Sequence, residues 1–229
     1  MKYNELRNEL KNYYFIESYK NAEKHMNEVI QKADSLYDEK MSSYEVKALQ
    51  YHVISDAIEP ILFKDLPFYY ETGILPGPSD GARNFHGYKH AGGWTYWKNE
   101  HLFIEQDKEL WDLRWRQASE LMYLICGAYN DDSQHFQFNH RPILQKGLKG
   151  VLEDIQKQLE NAETKEEKDF LSAACEGLLS AKKISGKFAD TAEEMLKSDP
   201  QNENLKRIAE SARRSPWEKP QNFYEALNT

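Results

Sequence analysis

Between positions 130 and 140 the chain reads Asn130-Asp131-Asp132-Ser133-Gln134-His135-Phe136-Gln137-Phe138-Asn139-His140. This run concentrates hydrogen-bonding side chains and two histidines between two apolar helical stretches, directly before a helix amino terminus. The partial positive charge of such a terminus favours an anionic or carbonyl group, so a helical region can lend residues to a pocket in this way. A polar surface loop between helices has the same composition. His86, His90 and His101 fall in or near a Gly-rich stretch and would suit a metal if they converged. His86 and His90, however, flank Gly87 outside any helix, so their four-residue spacing defines no common face, and they read as ordinary hydrogen-bonded or exposed histidines. Cys126 and Cys175 each lie in an apolar helical context that raises a thiol pKa and leaves it inert. Asp131 and Asp132 would pair as acid and base, but adjacent acids before Ser133 read first as a capping or solvated loop. No Gly-x-Ser-x-Gly elbow and no phosphate-cradling Gly-x-x-x-x-Gly-Lys occurs.

The elements that must position these residues are helical. Tyr3, Leu6, Leu10 and Tyr13 form one stripe, Ala22 to Leu36 a second, and Val46, Leu49, Val53 and Ala57 a third. Ser42-Ser43-Tyr44-Glu45 has the spacing of a capping box and Pro60 marks the end of that third helix. From Glu59 onward prolines and glycines accumulate among Phe68, Tyr69, Tyr70, Phe85, Trp94, Tyr96 and Trp97, which predicts an ordered loop packed onto the protein. Trp111 to Ile125 is apolar on more than one side and reads as a central, buried helix. The stripe Leu144, Leu148, Val151, Leu152, Ile155, Leu159 predicts a helix starting near Pro142. Thr164-Lys165-Glu166-Glu167 caps a long segment through Phe188 to Met195. Ser198-Asp199-Pro200-Gln201 separates it from the next helix, and Asn222-Phe223-Tyr224-Glu225 opens a last one.

Composition narrows the function classes. The 229 residues carry 30 Lys+Arg against 38 Asp+Glu, a net charge of −8, the wrong sign for a partner built on a phosphate backbone. Lys206, Arg207, Arg213 and Arg214 read as helix faces. Two cysteines outside any Cys-x-x-Cys pair exclude a disulfide framework or a structural zinc site and fit a reducing compartment. The amino terminus has no apolar signal stretch, and the run from Leu121 to Tyr129 is too short to cross a bilayer. A cytoplasmic chain is expected.

His135 through Gly150, His-Phe-Gln-Phe-Asn-His-Arg-Pro-Ile-Leu-Gln-Lys-Gly-Leu-Lys-Gly, resembles the glycyl radical enzymes of the pyruvate formate-lyase type. In them a Gly-His loop with a nearby Asp-Tyr precedes a helix of the form Lys-Val-Leu-x-x-Gly-Leu-x-Gly. Lys168 to Ala174 resembles the family's next helix. Leu205 to Arg214, Pro216, Pro220 and Phe223-Tyr224-Glu225-Ala226-Leu227 look like its ending in Pro-x-x-Phe-Tyr-Glu-Ala-Leu. The resemblance implies a much longer protein: a ten-stranded α/β barrel wrapped by helices, with a thiyl radical cysteine on one loop and a glycyl radical on another. An activating enzyme using S-adenosylmethionine and an iron–sulfur cluster installs the glycyl radical. Neither a Gly-Cys-x-Glu nor an Arg-Val-x-Gly loop stands in this sequence. Carried over by residue, His135 matches the histidine that faces the substrate in several dehydratases. Asn139 falls where an acid is usual and His140 where a tyrosine is usual. Trp94, in the loop Gly92-Gly93-Trp94-Thr95-Tyr96-Trp97, is placed at the same pocket.

The expectation is therefore an all-α fold, a bundle of about seven to eight helices in a single domain. It comprises N-terminal helices over 1–58, a long aromatic Gly/Pro-rich loop over 59–104, and helices over 105–229. The implied function is that of an amino-terminal fragment or truncated form of a glycyl radical lyase or dehydratase of anaerobic metabolism, not catalytic by itself. No catalytic residue, metal or cofactor is assigned to this chain, and His135, Asn139, His140 and Trp94 are its substrate-binding candidates. Expected partners are a small polar substrate, a complementary chain or second copy, and the activating enzyme, with no nucleic acid and no membrane. The competing reading is a stand-alone helical protein that binds a small ligand or a partner.

Overall fold

The structure, a computed structural model, describes residues 2–13, 31–33, 35–69 and 139–229. Among them the chain is helical without a β-strand, as expected: α1 (Lys2–Asn12), α2 (Ser43–Ala57), α3 (His140–Glu160), α4 (Lys165–Ser198), α5 (Glu203–Arg214) and α6 (Phe223–Leu227). The aromatic Gly/Pro-rich loop from position 70 onward, the helix around Trp111 to Ile125 and Cys126 lie outside the described residues. The chain divides into two compact units, one of Met1–Leu6, Asp38–Gly73 and Gln137–Thr229, the other of Arg7–Tyr37 and Ile74–Phe136. Of the second, Tyr13 and Ala33 are buried and the Ser35 hydroxyl donates to the Lys32 carbonyl. At the other end of the expected first stripe Tyr3 is exposed.

The helices of the first unit start where their local chemistry puts them. The first four N–H groups of a helix lack intrahelical acceptors, and a capping box supplies one from each side. At α2 the Glu45 N–H donates to Ser42 Oγ at 3.3 Å while the Ser42 N–H donates to Glu45 Oε2 at 2.6 Å. At α4 the Glu167 N–H donates to Thr164 Oγ1 at 3.2 Å and the Thr164 N–H to Glu167 Oε2 at 3.0 Å. α5 begins at Asn202, whose Oδ1 accepts from the N–H groups of Asn204 and Leu205. Backbone N–H donors hold the Glu45 and Glu167 carboxyls below the ordinary carboxylate range, Ser42 acting on the first and Thr164 on the second. A depressed folded-state pKa contributes stability above the unfolded value that is lost as pH falls through the folded value. Stability is therefore expected to decline on acidification below the ordinary carboxylate pKa, with part of the slope belonging to these two caps. Unfolding curves of E45Q and E167Q across that range should show a shallower decline than the parent.

α4 is the element against which α2, α3 and α5 all pack. Its inner stripe of Phe188, Ala189 and Ala192 meets Ile208, Ala209 and Ala212 of α5, with Leu62 and Tyr69 closing the cluster. The alanines let the two backbones approach, and the larger rings and branched chains fill what remains. On α2 the buried positions are Gln50, Val53, Ile54 and Ser55, in keeping with the predicted stripe through Val53. Phe170 of α4 stays half-exposed, its ring edge-on to Tyr44 at 5.4 Å.

Residues 58–69 run as a strap over α5 and are tied down by side chains far along the sequence. Lys187 Nζ donates to the carbonyls of Asp56 and Ile58 at 2.6 and 2.8 Å, so a cation closes the carboxyl end of α2. Asn204 Nδ2 donates to the carbonyls of Lys64 and Leu66, and the Tyr224 hydroxyl to that of Pro67 at 2.5 Å. The Tyr69 and Ser211 hydroxyls share a buried hydrogen bond of 2.8 Å. Burial pushes the Tyr69 phenol up to about 12, against the opposing effect of the Ser211 bond.

Candidate functional site

Two of the four expected substrate contacts, Trp94 and His135, lie outside the described residues. Asn139 and His140 fall at the start of α3, which begins two positions before the expected Pro142. Asn139 is the N-cap residue (φ −75, ψ 86), exposed, and its amide makes no capping bond although the residue type is well suited to one. His140, also exposed, is the first helical residue. The amide of Asn139 thus stands at the leading end of a helix without capping it.

The expected uninterrupted helix is not what forms. Gly147 adopts φ 69, ψ 172, and the helical path breaks there into His140–Lys146 and the longer run from Leu148. The cause lies far along the chain: the Leu148 N–H donates to the Pro216 carbonyl and the Lys149 N–H to the Trp217 carbonyl, both at 2.9 Å. A Cβ on Gly147 would sit 2.4 Å from the Trp217 carbonyl oxygen and 2.5 Å from the Glu218 carbonyl carbon, so only glycine permits this approach. The leading amides of the long segment are thus engaged within the chain, by carbonyls of the turn after α5. Leu144, on that short first run, is partly exposed at 39%, whereas Leu148 and Leu152 are buried.

The segment that meets Gly147 is itself anchored by α6. Glu225 is buried and accepts from the Gln221 N–H at 2.7 Å and from Asn222 Nδ2 at 3.2 Å, with Arg214 Nε 3.6 Å away. Ser215 Oγ and Thr229 Oγ1 both donate to the Glu225 carbonyl. Within Phe-Tyr-Glu-Ala-Leu, then, Tyr224 holds the strap and Glu225 holds the turn, while Phe223 and Leu227, one helical turn apart, are 78% and 54% exposed. The basic residues of α5 act locally, as the sequence suggested. Lys206 pairs with Glu203, Arg207 lies 5.4 Å from the centre of the Tyr224 ring, and Arg213 takes Glu193 and Asp190.

Among the described residues, two grooves stand out on this unit. One, about 470 Å³, is lined by acids and amides including Asp65, Asp199, Asn202 and Glu203, with Lys64 among them. The other, about 610 Å³, runs between Lys146 and Lys149 of α3, Arg214 at the end of α5, and Glu218, Lys219 and Gln221 of the turn after α5. The sequence reading missed the second groove, because its cations come from segments some seventy positions apart; Lys146 and Lys149 flanking Gly147 are the only local sign of it. Neither groove is lined by Asn139 or His140. Among the described residues no group of histidine, cysteine and acidic side chains is placed to hold a metal, and no helix is long and apolar enough to cross a membrane. Cys175 is half-buried on α4, and burial raises its thiol pKa.

The profile of the Pyruvate formate lyase-like family matches residues 96–229, more than half of the sequence and all of the segment that contains the Gly147 break and the Glu225 anchor. The chain belongs to the pyruvate formate lyase-like family. Solved structures agree on the fold of this family member. One, reported for 1,2-propanediol dehydration in Roseburia inulinivorans and its substrate and enantiomer selectivity, superposes with a TM-score of 0.58 at 14% identity, covering 89% of this chain and 30% of that one. A glycyl radical enzyme from Archaeoglobus fulgidus superposes with a TM-score of 0.55 at 16% identity, over 94% of this chain and 32% of that one. This pyruvate formate lyase-like chain thus spans about a third of the length of these two solved structures. No curated protein is similar to it in sequence.

Proposed function

We propose that this chain is the helical amino-terminal part of a glycyl radical lyase or dehydratase acting on a small polar substrate, and that it is not catalytic without a barrel carrying the two radical loops. The observation that carries this reading is the pair of coverages: nearly all of this chain aligns with about a third of a glycyl radical structure. One feature of the sequence and one of the structure support it. The chain has neither a Gly-Cys-x-Glu nor an Arg-Val-x-Gly loop, and its last helix presents Phe223 and Leu227 to solvent, where a further layer of protein would cover them.

In this role the chain supplies polar contacts and the barrel supplies radical chemistry, its glycyl radical having been installed by an S-adenosylmethionine and iron–sulfur activating enzyme. His135, hydrogen-bonded to a substrate hydroxyl, would assist its departure as water. Asn139 donates and accepts hydrogen bonds but cannot move a proton, so acid-assisted elimination through this position is closed and its work is orientation. His140 and Trp94 would complete that face, and the site of action would be the cytoplasm.

Sequencing downstream of the Thr229 codon, with anaerobic assembly of whatever chain is found there, tests the proposal. The expected result is a continuation or neighbouring chain with both loops, and a glycyl radical signal after activation only when that portion is present. A continuation lacking both loops, or a radical signal from residues 1–229 alone, would overturn it.

A further inference from the structure

The cationic groove between α3 and the turn after α5 belongs to none of the roles above. Its lining holds Lys146, Lys149, Arg214 and Lys219 against the one acid Glu218, in a chain whose net charge is −8. The break at Gly147 creates it. Because the Leu148 and Lys149 amides are bound to the Pro216 and Trp217 carbonyls, the α3 backbone is pressed onto the turn, and lysines on both sides of the break are fixed beside Arg214 and Lys219. The groove therefore exists before any ligand arrives.

Its charges are unevenly satisfied. Lys146 is paired with Asp154. Arg214 has carboxylates only at a distance, Glu218 at 3.9 Å and Glu225 at 3.6 Å, and its Nε, shut off from solvent, has no hydrogen-bond acceptor. Lys149 and Lys219 are exposed and have no acidic partner among the described residues. A guanidinium 30% exposed, with its own carboxylates beyond hydrogen-bond distance, beside two unpaired ammonium groups, has the donor set for a planar or tetrahedral oxyanion. No aromatic ring lines the groove to stack a base, and the charge of the whole chain opposes a nucleic-acid backbone.

We infer that this groove is a binding site for a compact, freely diffusing oxyanion of phosphate or carboxylate chemistry, held by Arg214, Lys149 and Lys219. The inference stands on the groove alone and does not depend on the proposed radical chemistry.

Titration of the isotope-labelled 229-residue chain with inorganic phosphate, and separately with malonate, tests it through the Arg214 Nε–H resonance. The expected result is a saturable shift of that resonance with at least one of the two anions, phosphate alone assigning the phosphate class and malonate alone the carboxylate class. The double variant K149Q/K219Q should keep the parent's melting temperature, since neither side chain has a partner to lose, and should weaken binding by about threefold for each lysine removed. R214K, which keeps the charge but loses the planar fork and is read through the Gln221 and Lys219 backbone amides, should abolish the saturable response that those amides show in the parent. Three results would overturn the inference: shifts that grow linearly and are shared by Lys197 and Lys206, unchanged affinity in the double variant, or saturation by an acidic peptide with neither small anion binding.

Discussion

Gly147→Ala is expected to lower the stability of the first unit by about 3–5 kcal/mol, near the upper end for a single substitution. Two independent costs add. The backbone at φ 69, ψ 172 belongs to a region essentially reserved for glycine and costs about 1–3 kcal/mol for any other residue. The new methyl group would also lie 2.4 to 2.8 Å from backbone atoms of Trp217 and Glu218, which cannot rotate away as a side chain would. Relief requires α3 and the turn to separate, breaking the Leu148 and Lys149 bonds to that turn and disturbing the groove together with the buried Glu225. A shift of the urea midpoint measures the loss, and a midpoint within error of the parent's would show that the glycine is dispensable. Gly186→Ala is the matched control: nothing lies within 4 Å of its Cβ position inside α4. There the change should raise stability by about 0.5–1 kcal/mol, because only the helix entropy penalty of glycine is removed.

Ile208→Ala should cost about 2–5 kcal/mol, with the upper half of that range expected. Ile208 is wholly buried among Phe188, Ala189, Leu62 and Tyr69. The price of a deleted side chain depends on how far its surroundings can collapse, and here they are pinned. Tyr69 is fixed by Ser211, and the strap that carries Leu62 is fixed by Asn204 and Tyr224. The cavity should therefore persist. Ile208→Val, which removes a single methylene, should cost about 0.5–1.5 kcal/mol. Leu227→Ala, at a residue 54% exposed, should fall within about 0.5 kcal/mol of the parent. Urea unfolding with an unchanged m value is the measurement, and equal losses at Ile208 and Leu227 would refute this account of the core.

What could be read from the sequence was what local chemistry decides. The capping boxes at Ser42 and Thr164, the stop at Ser198 to Gln201 and the opening of α6 at Asn222 all involve partners within a few positions, and all stand where their patterns placed them. The break in α3 was not legible, because the spacing from Leu144 to Leu159 continues through Gly147 as it would in a straight helix. The reason for the break is a pair of carbonyls nearly seventy residues away. The family resemblance contained the signal in the word Gly147-Leu148-Lys149-Gly150, but only the geometry shows that the first of these glycines answers a close backbone approach. The candidate site divides the same way. Asn139 and His140 were read as loop residues just before a helix near Pro142, and the helix begins two positions earlier, at His140, while the groove residues Lys149 and Arg214 share no sequence neighbourhood in which to be noticed together.

The strap over α5 sets an order of events for synthesis. Its ties link residues 129 to 157 positions apart, from Lys187–Ile58 to Tyr224–Pro67. A ribosome adds about 5–20 residues per second, so α2 and the strap wait on the order of ten seconds for the helices that cover them. Throughout that wait the inner face of α2, with Val53 and Ile54, has no α4 to pack against. α2 and the strap are thus among the early products of synthesis and among the last segments of their unit to be sealed.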